Sequence, residues 1–463
     1  MNDESRKQFK AIIEQMRFVY KHDSRPWMIG YSGGKDSTLL CQLVFETLES
    51  LPPSERKKKV YIVTSDTMVE NPIIRRYMHE MNVAINAASV KKGLNVESHI
   101  IYPEVKNRFW SLVVGLGYLT PEPPGFRWCT ERLKILPSND FTYNVIRKSG
   151  EIIILLGVRK AESSTRLKSI ASREIEGKIL TPHVSIPKAY TYRPLSEIEN
   201  KDVWEYLLKD DGLSAWGTDN RYLFSLYQGE EMGEEQSVVG EVNKDKIAIT
   251  GNSRFGCWCC TMVSEDKSLK NFIEHGASEL LPLREFRNWL IELRNTPEAR
   301  DFRRRNGSVY FMKNGELGRG PFTLDTRKEI LRRLLQLQKT TGFELISEEE
   351  LKFIDNVWER EGDLSCRGVV EIYYEVMGKR LPWDQFKKAK YDGETLETIR
   401  KLCAKHDVPF DLMSRLMSAV DSAKLHTRSA ETTEAVEKVL NQGWLHDERV
   451  KEELGRGDVI TQD

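Results

Sequence analysis

The sequence lacks long apolar segments and a cysteine pattern typical of disulfide-linked proteins. Its longest uninterrupted apolar run covers residues 152–156, which is far too short to cross a bilayer. The first residues, MNDESRKQFK, contain no apolar core of the kind found in secretion signals. The chain has seven cysteines, an odd number that does not suit a disulfide framework. We therefore expect a cytoplasmic protein with no membrane partner, whose cysteines serve metal or sulfur chemistry.

The sequence also lacks an excess of charge of either sign. Its 70 Lys and Arg balance 70 Asp and Glu, which excludes a globally basic nucleic-acid-binding protein but allows a local patch. Between Arg284 and Lys339 there are 14 Lys and Arg against 7 Asp and Glu. In this segment cations alternate with aromatic residues, a mixture that suits nucleic acid: Arg300, Phe302, Arg303, Arg304, Arg305, Tyr310 and Phe311. A solvated helical face is the alternative interpretation.

A length of 463 residues exceeds what one hydrophobic core usually organises. In the first third, short β-branched runs alternate with segments of helical spacing, which predicts an α/β fold with a parallel sheet covered by helices on both faces. From residue 280 onward the pattern predicts mostly helices, with Ile330–Leu337 forming an apolar packing stripe. We predict three segments, 1–225, 226–340 and 341–463, and a surface loop over 228–256.

A glycine-containing segment joins the first predicted strand to the helix that follows it. This segment, Tyr31 to Ser37, reads YSGGKDS. Gly33 and Gly34 allow a tight turn close to a ligand, and the positive end of the next helix favours a phosphate. Ser32 and Ser37 offer hydroxyl groups, Lys35 adds charge, and Asp36 suits Mg²⁺. A plain strand-to-helix turn is the alternative interpretation.

Other candidate residues follow the second and fourth predicted strands. Asp66 stands at the end of the second strand, where open parallel sheets place residues that contact ligands. Gly157, Arg159 and Arg166 follow the fourth strand. The two arginines are planar donors suited to phosphate. Surface ion pairs with Glu162 and Glu174 are the alternative interpretation for these arginines.

These segments resemble the PP-loop ATP pyrophosphatases. The motif S-G-G-K-D-S is the signature of that superfamily, and GVRKAESSTR, from Gly157 to Arg166, is similar to a segment of its phosphoadenylylsulfate reductase branch. The resemblance implies a PP-loop sheet and cleavage of ATP between the α- and β-phosphates, with Lys35 and Asp36 as catalytic residues. It also implies ATP binding by Ser32, Gly33, Gly34, Ser37, Asp66, Gly157, Arg159 and Arg166, with Mg²⁺.

The cysteines are concentrated in two segments. Cys257, Cys259 and Cys260 lie within four residues, and Cys129 lies far away in sequence. The C-x-x-C spacing of Cys257 and Cys260 lets two thiolates reach one metal or cluster, and Cys129 would complete three ligands. Flanking cations, Arg127, Arg132 and Arg254, would offset thiolate charge.

The cysteine segments resemble the DndC family of bacterial DNA phosphorothioation proteins and the related SspD proteins. The matching stretches are SRFGCW, ending at Trp258, with Cys260-Thr261, and Arg127-x-Cys129-Thr130. The resemblance covers about residues 25 to 270. It implies an ATP-dependent sulfurtransferase that adenylates a DNA backbone phosphate and replaces a non-bridging oxygen with sulfur. It further implies a 4Fe–4S cluster, Cys129 and Cys260 as catalytic residues, a cysteine desulfurase as sulfur donor, and other phosphorothioation-system proteins as partners.

One departure from that family's pattern leaves the ligand set open. No cysteine stands in residues 248–252, shortly before Gly256. Either Cys259 takes the place of the missing ligand, or Cys129, Cys257 and Cys260 are the only protein ligands, or the thiols carry persulfide without a cluster. The alternative functions are a tRNA thiolation enzyme, a phosphoadenylylsulfate reductase, which the intact loop disfavours, and an assembly subunit that binds ATP without catalysis.

Overall fold

The computed structural model of the protein describes residues 2–123, 127–162, 178–227, 256–305, 307–424 and 429–440. The chain forms two compact units. The first comprises residues 1–104 and 121–284, and the second comprises residues 105–120 and 285–463. The three segments predicted from the sequence stay a prediction. The loop predicted over 228–256 lies almost entirely outside the described residues.

The first unit is built on a six-stranded sheet with the order β3-β2-β1-β4-β6-β5. All neighbouring strands are parallel except β5 and β6, which are antiparallel. The strands are β1 (Trp27–Gly30), β2 (Val60–Ser65), β3 (Val96–Ile101), β4 (Ile152–Leu155), β5 (Thr181–Pro182) and β6 (Ala189–Tyr192). The predicted α/β fold is therefore confirmed.

The central strands are apolar throughout because both faces of the sheet are covered. Successive side chains of a strand point to opposite faces. Trp27 and Ile29 accordingly belong to the core on one face, whereas Met28 belongs to the core on the other. Continuous burial of this kind is typical of parallel sheets with helices on both sides.

Seven helices of the first unit fall within the described residues. They are α1 (Asp3–His22), α2 (Lys35–Glu49), α3 (Pro72–Lys91), α4 (Leu136–Ser149), α5 (Asn200–Leu207), α6 (Asn220–Tyr227) and α7 (Lys267–Glu274). Two short helical turns, Trp128–Thr130 and Glu131–Ile135, lead directly into α4. Helix α3 begins where Asn71 accepts a hydrogen bond from the Ile73 N–H and Pro72 occupies the first helical position.

The strand order places a topological switch point beside β1. The chain runs from β1 outward to β2 and β3 and then returns to place β4 on the other side of β1. In open sheets of this kind, ligands bind at the carboxyl ends of the strands beside such a point. The loops after β1, β2 and β4 therefore share the edge of the sheet at which a ligand is expected.

The second unit is helical in its described part. From residue 281 onward the longer helices are α8 (Leu281–Asn295), α9 (Leu324–Thr341), α10 (Glu348–Arg360), α11 (Gly368–Met377), α12 (Gly393–Lys405), α13 (Phe410–Lys424) and α14 (Ser429–Leu440). The predicted stripe of Ile330–Leu337 is confirmed, because its apolar residues on α9 are buried.

Two tryptophans tie residues 105–120 into the second unit. The Trp110 indole N–H donates to the Leu345 carbonyl at 2.8 Å, and the Trp358 indole N–H donates to the Val114 carbonyl at 2.9 Å. Both rings are fully buried, so each satisfies its only polar group inside the core. Among the helices of the described ranges, none combines the length and the apolar character needed to span a membrane.

Candidate functional site

The segment between β1 and α2 forms a tight loop at the carboxyl edge of the sheet. Gly33 has a φ of +78°, in the region that favours glycine. A Cβ atom at Gly33 would also lie 3.1 Å from the Cγ atom of Met78. Helix α2 begins at Lys35 with Gly34 as its N-cap, a residue without a side chain to cap this end. The loop thus places the positive end of a helix at the sheet edge, as a phosphate site requires.

The hydroxyl groups of the two loop serines hold the turn closed. The Ser37 hydroxyl donates to the Gly34 carbonyl at 3.0 Å and lies 3.1 Å from the Ser32 hydroxyl. The Ser32 N–H in turn donates to the Ser37 hydroxyl at 3.3 Å. In this structure the two serines therefore shape the loop.

Asp36 carries one occupied and one open carboxylate oxygen. Its Oδ1 accepts a hydrogen bond of 2.6 Å from the Nε of Arg159. Its Oδ2 is buried and has no hydrogen-bond partner in the described part of the chain, although the Lys35 ammonium lies 3.5 Å away. A buried carboxylate oxygen is costly to leave unsatisfied. Because hard carboxylate oxygens are the ligands that Mg²⁺ prefers, Oδ2 of Asp36 fits the predicted metal.

Gly157 allows the segment after β4 to approach the loop closely. A Cβ atom at this position would lie 3.1 Å from the backbone carbonyl oxygen of Asp36. This close approach crosses the switch point between β1 and β4 and brings Arg159 to Asp36. Gly157 thus lies against the phosphate loop, and its role in ATP binding stays a prediction.

Arg159 supports the loop from inside the unit. Only 2% of the residue is exposed, and its guanidinium also donates to the Ile198 carbonyl and to Oδ1 of Asn200, each at 3.3 Å. The alternative of a surface ion pair is therefore wrong for this residue. In this structure Arg159 pairs with the carboxylate of Asp36, and its role in ATP binding stays a prediction. Arg166 and Glu174 lie outside the described residues.

Asp66 is buried immediately after β2 and is already paired. Its Oδ2 lies 2.8 Å from Nε of Arg75 and 3.0 Å from Nε2 of His79, and its Oδ1 accepts the Met68 N–H at 2.7 Å. Burial alone would raise the pKa of Asp66, but these hydrogen bonds and the charge of Arg75 lower it overall. Asp66 therefore stays ionised, and its role in ligand binding stays a prediction.

Tyr227 belongs to this site although no sequence motif marks it. Its hydroxyl accepts a hydrogen bond of 3.1 Å from the backbone N–H of Lys35, 192 residues away in sequence. The Lys35 ammonium lies 5.2 Å from the centre of the Tyr227 ring. The last residue of α6 thus contacts the first residue of α2, and the ring of Tyr227 lies near the Lys35 ammonium.

The cysteine segment contacts the chain that follows β2. Cys257 forms an isolated antiparallel bridge with Glu70, and the Trp258 N–H donates to the Val69 carbonyl at 3.0 Å. The Cys257 thiol lies 3.7 Å from the Thr67 hydroxyl. These contacts bring the thiol to the same edge of the sheet as the phosphate loop, because β1 and β2 are parallel neighbours.

The structure brings the four predicted thiols into one region. Burial raises the pKa of Cys257 well above its ordinary value, and the thiols of Cys260 and Cys129 add to that rise. Burial likewise raises the pKa of Cys129, and it raises that of Cys260 to about 11. Cys259 is fully buried, and its pKa is raised by burial and by the other three thiols. Without a bound cation, these thiols are therefore protonated at neutral pH.

A partly buried ion pair lies beside the thiols, and sequence analysis did not identify it. The Lys134 ammonium lies 3.3 Å from Oε1 of Glu70, which also accepts a hydrogen bond of 3.0 Å from the Thr67 hydroxyl. Burial alone would lower the pKa of Lys134, but Glu70, Cys257 and Cys129 outweigh this effect and raise it. Lys134 therefore stays charged and can offset negative charge on the thiols.

The cysteines are donors of the type that an iron–sulfur cluster needs, and the cluster itself stays a prediction. Within the described ranges, no three His, Cys, Asp or Glu side chains are positioned to hold one metal ion. An iron–sulfur cluster is held by soft thiolate donors. Cys129, Cys257 and Cys260 supply such donors, and Lys134 supplies a compensating charge. The choice between three ligands and a fourth from Cys259 stays open.

Breaking the Glu70–Lys134 pair is expected to destabilise the first unit. In Lys134→Met, Glu70 loses its counter-charge in a site where its side chain is only 5% exposed. An uncompensated buried charge of this kind costs about 3 kcal/mol. We therefore expect a lower midpoint for the first thermal transition of Lys134→Met, measured by calorimetry. The double variant Lys134→Met/Glu70→Gln should recover at least half of the loss, and equal midpoints for both variants would contradict this explanation.

The basic segment of the second unit uses several of its cations internally. Arg303 is buried and donates to Asp301 through Nε at 2.8 Å and Nη2 at 2.7 Å. Arg300 donates to the carbonyls of Gly320 and Arg319. The guanidinium of Arg304 lies 4.2 Å from the centre of the Tyr310 ring. The cations and aromatic rings predicted to bind nucleic acid thus contact one another and the local backbone, and their contact with nucleic acid stays a prediction.

One curated protein is similar to part of the chain. An uncharacterized protein of Methanocaldococcus jannaschii is 24% identical over 242 residues, which cover 51% of this chain and 43% of that protein. The chain thus spans less than half the length of this curated relative.

Two solved structures show weaker likenesses. A phosphoadenylyl-sulfate reductase from Candida auris, in a phosphate complex, has a TM-score of 0.29 and 12% identity, over 50% of this chain and 96% of that one. The U34-tRNA thiolase NcsA from Methanococcus maripaludis, with its [4Fe-4S] cluster, also has a TM-score of 0.29 and 12% identity, over 62% of this chain and 80% of that one. At these values neither likeness supports a conclusion about fold or function.

A family model matches the part of the chain that contains the phosphate loop. The model describes the phosphoadenosine phosphosulfate reductase domain, and the match extends over residues 26–214. This range holds strands β1 to β6, the phosphate loop, Arg159 and Cys129. The sheet and phosphate loop of the first unit therefore form a domain similar to the phosphoadenosine phosphosulfate reductase domain.

Proposed function

We propose that the protein is an ATP-dependent sulfurtransferase that modifies a backbone phosphate of DNA. This proposal rests on one observation: a phosphate loop and a group of thiols lie at the same edge of the sheet. The phosphate loop, with the open Oδ2 of Asp36, follows β1. The four cysteines Cys129, Cys257, Cys259 and Cys260 form what we call the thiol region. Its residue Cys257 pairs with Glu70, which follows β2, the parallel neighbour of β1. An anion site beside a group of thiols suits activation of a phosphate by ATP followed by transfer of sulfur.

The phosphate loop would carry the first half of the reaction. A non-bridging oxygen of the DNA phosphate attacks the α-phosphorus of ATP, and pyrophosphate leaves. The amino terminus of α2 and the Lys35 ammonium would bind the phosphates of ATP. Arg159 would hold Asp36 in position through Oδ1, so that Oδ2 faces the site. Bound Mg²⁺ would neutralise charge on the phosphates.

The thiol region would carry the second half. Sulfur attacks the phosphorus of the activated DNA phosphate, and AMP leaves with the oxygen. Cys129, Cys257 and Cys260 would receive sulfur from a cysteine desulfurase, and Lys134 would offset the charge that sulfur brings. An iron–sulfur cluster, when bound by these cysteines, would supply an iron able to hold sulfide.

The electron balance depends on the form in which sulfur arrives. Sulfide adds directly and requires no oxidant or reductant. With a persulfide, the terminal sulfur attacks phosphorus and leaves a Cys–S–S–P linkage. A second thiol of the region would then attack the cysteine sulfur, releasing the phosphorothioate and forming a Cys–Cys disulfide. An external dithiol must reduce that disulfide before the next turnover. The presence of several thiols in one region suits this route.

The choice of DNA as acceptor rests on the resemblance of the cysteine segments to the phosphorothioation proteins. The test is release of pyrophosphate and AMP from ATP by anaerobically purified protein, alone and with single-stranded DNA, duplex DNA or bulk tRNA. We expect AMP formation to be stimulated by DNA. We also expect phosphorothioate in the DNA after a cysteine desulfurase and cysteine are added.

Other outcomes of that assay would redirect the proposal. Stimulation by tRNA alone would identify RNA thiolation as the function. A sulfonucleotide consumed in place of ATP would identify a reductase. Nucleotide binding without AMP formation, even with the desulfurase present, would identify a non-catalytic assembly subunit. Each of these results would contradict the assignment of DNA phosphorothioation.

A further inference from the structure

Arg127 has buried hydrogen-bond donors that find no acceptor among the described residues. Its Nε and Nη1 atoms are buried and have no hydrogen-bond partner in the part of the chain that the structure describes. A guanidinium is charged at every pH at which a protein is folded. Charged donors that are removed from water without an acceptor cost free energy. An anion that accepts from either atom would reduce this cost.

The neighbouring cations of the first unit differ from Arg127 in this respect. Arg159 donates to the carboxylate of Asp36 at 2.6 Å. The ammonium of Lys134 lies 3.3 Å from the carboxylate of Glu70. Both charges are therefore compensated by the protein itself, whereas no carboxylate of the described residues pairs with Arg127.

The position of Arg127 places this charge at the thiol segments. Arg127 is the residue before the helical turn Trp128–Thr130, which carries Cys129. The residue after Cys260 reaches the same stretch of chain, because the Thr261 hydroxyl donates to the Pro121 carbonyl at 2.6 Å. Arg127 thus lies in the stretch of chain at which two cysteine segments, 131 residues apart in sequence, come together.

We infer that Arg127 binds the acceptor phosphate, holding the phosphodiester next to Cys129 and Cys260 for sulfur transfer. This inference rests on the proposed function for the identity of the acceptor. The guanidinium carries a permanent charge and forms charge-assisted hydrogen bonds to phosphate oxygens. The phosphates of ATP have a separate site at the loop after β1, with Lys35. The phosphorus that receives sulfur must instead lie at the thiols, where Arg127 is.

The test compares Arg127→Gln with the intact protein in binding a fluorescein-labelled single-stranded DNA and a labelled tRNA, by anisotropy at several salt concentrations. We expect Kd to rise about tenfold or more for the true acceptor, because a charged hydrogen-bonding group is lost. The slope of log Kd against log salt should fall by about 0.7, the value for one phosphate contact on a single strand. Affinity for ATP should not change.

Arg147→Gln provides a matched control. Arg147 is exposed in the last turn of α4, just before β4 begins. It therefore lies at the amino end of β4, away from the carboxyl edge that holds the phosphate loop. Removal of its charge should leave both Kd and the salt slope unchanged. Arg127→Lys should retain the salt slope and recover part of the affinity, because it keeps the charge but not the guanidinium.

Four results would overturn the inference. Unchanged affinity and slope for both nucleic acids would show that Arg127 does not contact the acceptor. Weaker ATP binding with unchanged nucleic-acid binding would assign it to a phosphate of the nucleotide. If only the visible absorption spectrum changed, Arg127 would act on the cluster instead. If the melting temperature fell and every ligand bound more weakly, Arg127 would serve to stabilise the first unit. Loss of tRNA binding alone would keep the inference and contradict DNA as the acceptor.

Discussion

Replacing Asp36 with Asn is expected to reduce AMP formation from ATP about a thousandfold. The amide oxygen of Asn can still accept the hydrogen bond from Nε of Arg159, so the loop should keep its shape. The amide nitrogen, however, would replace the open Oδ2 and cannot ligate Mg²⁺. Loss of one preorganised group that stabilises charge in a transition state costs about 3–4 kcal/mol, which is two to three powers of ten in rate.

The measurement is the rate of pyrophosphate release at saturating ATP and DNA, with Mg²⁺ varied. Asp36→Asn should need far more Mg²⁺ than the intact protein, and its melting temperature should stay close to that of the intact protein. Asp219→Asn is the control, because Asp219 pairs with Arg221 in an exposed ion pair of the same unit. A normal rate in Asp36→Asn at ordinary Mg²⁺ would show that Asp36 only supports the loop.

The variant Arg159→Lys distinguishes the roles of the two carboxylate oxygens of Asp36. A lysine keeps the positive charge but cannot reach Asp36, Ile198 and Asn200 with one planar group, as the guanidinium does. Its effect should therefore appear as a looser loop, with weaker ATP binding and a smaller loss of rate than in Asp36→Asn. An arginine that contacted the transferring phosphoryl group directly would show the opposite order.

The phosphate loop could be predicted from the sequence because the residues that form it are neighbours in the chain. Seven consecutive residues between an apolar strand and a helix contain the two glycines, the serines, Lys35 and Asp36. The central strands were equally accessible, because burial on both faces requires continuous apolar runs such as residues 152–156. These features depend on neighbouring residues, and a single sequence records them directly.

The partners of these residues could not be predicted, because they come from distant parts of the chain. Tyr227 reaches the N–H of Lys35 across 192 residues, and the Glu70–Lys134 pair has no spacing that a motif would reveal. Arg159 shows a further limit. Its residue type suits a phosphate or a carboxylate equally well, and only the fold places it against Asp36.

Replacing Cys260 with Ser is expected to abolish sulfur incorporation while AMP formation continues. A serine hydroxyl neither carries persulfide sulfur nor replaces a thiolate as a ligand of iron. The phosphate loop follows β1 and is built from its own residues, so it does not depend on this thiol. We therefore expect phosphorothioate in DNA to fall below detection. ATP affinity and DNA-stimulated pyrophosphate release should stay within about threefold of the intact protein.

Two further cysteine variants make this result specific. Cys403→Ser removes a buried thiol from α12 of the second unit and should leave sulfur incorporation intact. Cys259→Ser distinguishes the ligand sets: retained sulfur incorporation supports three ligands, and a loss equal to that of Cys260→Ser supports a fourth. If Cys260→Ser lost ATP binding together with sulfur incorporation, the thiol would be part of the core of the first unit. The proposed division between an adenylating loop and a sulfur-carrying thiol region would then be wrong.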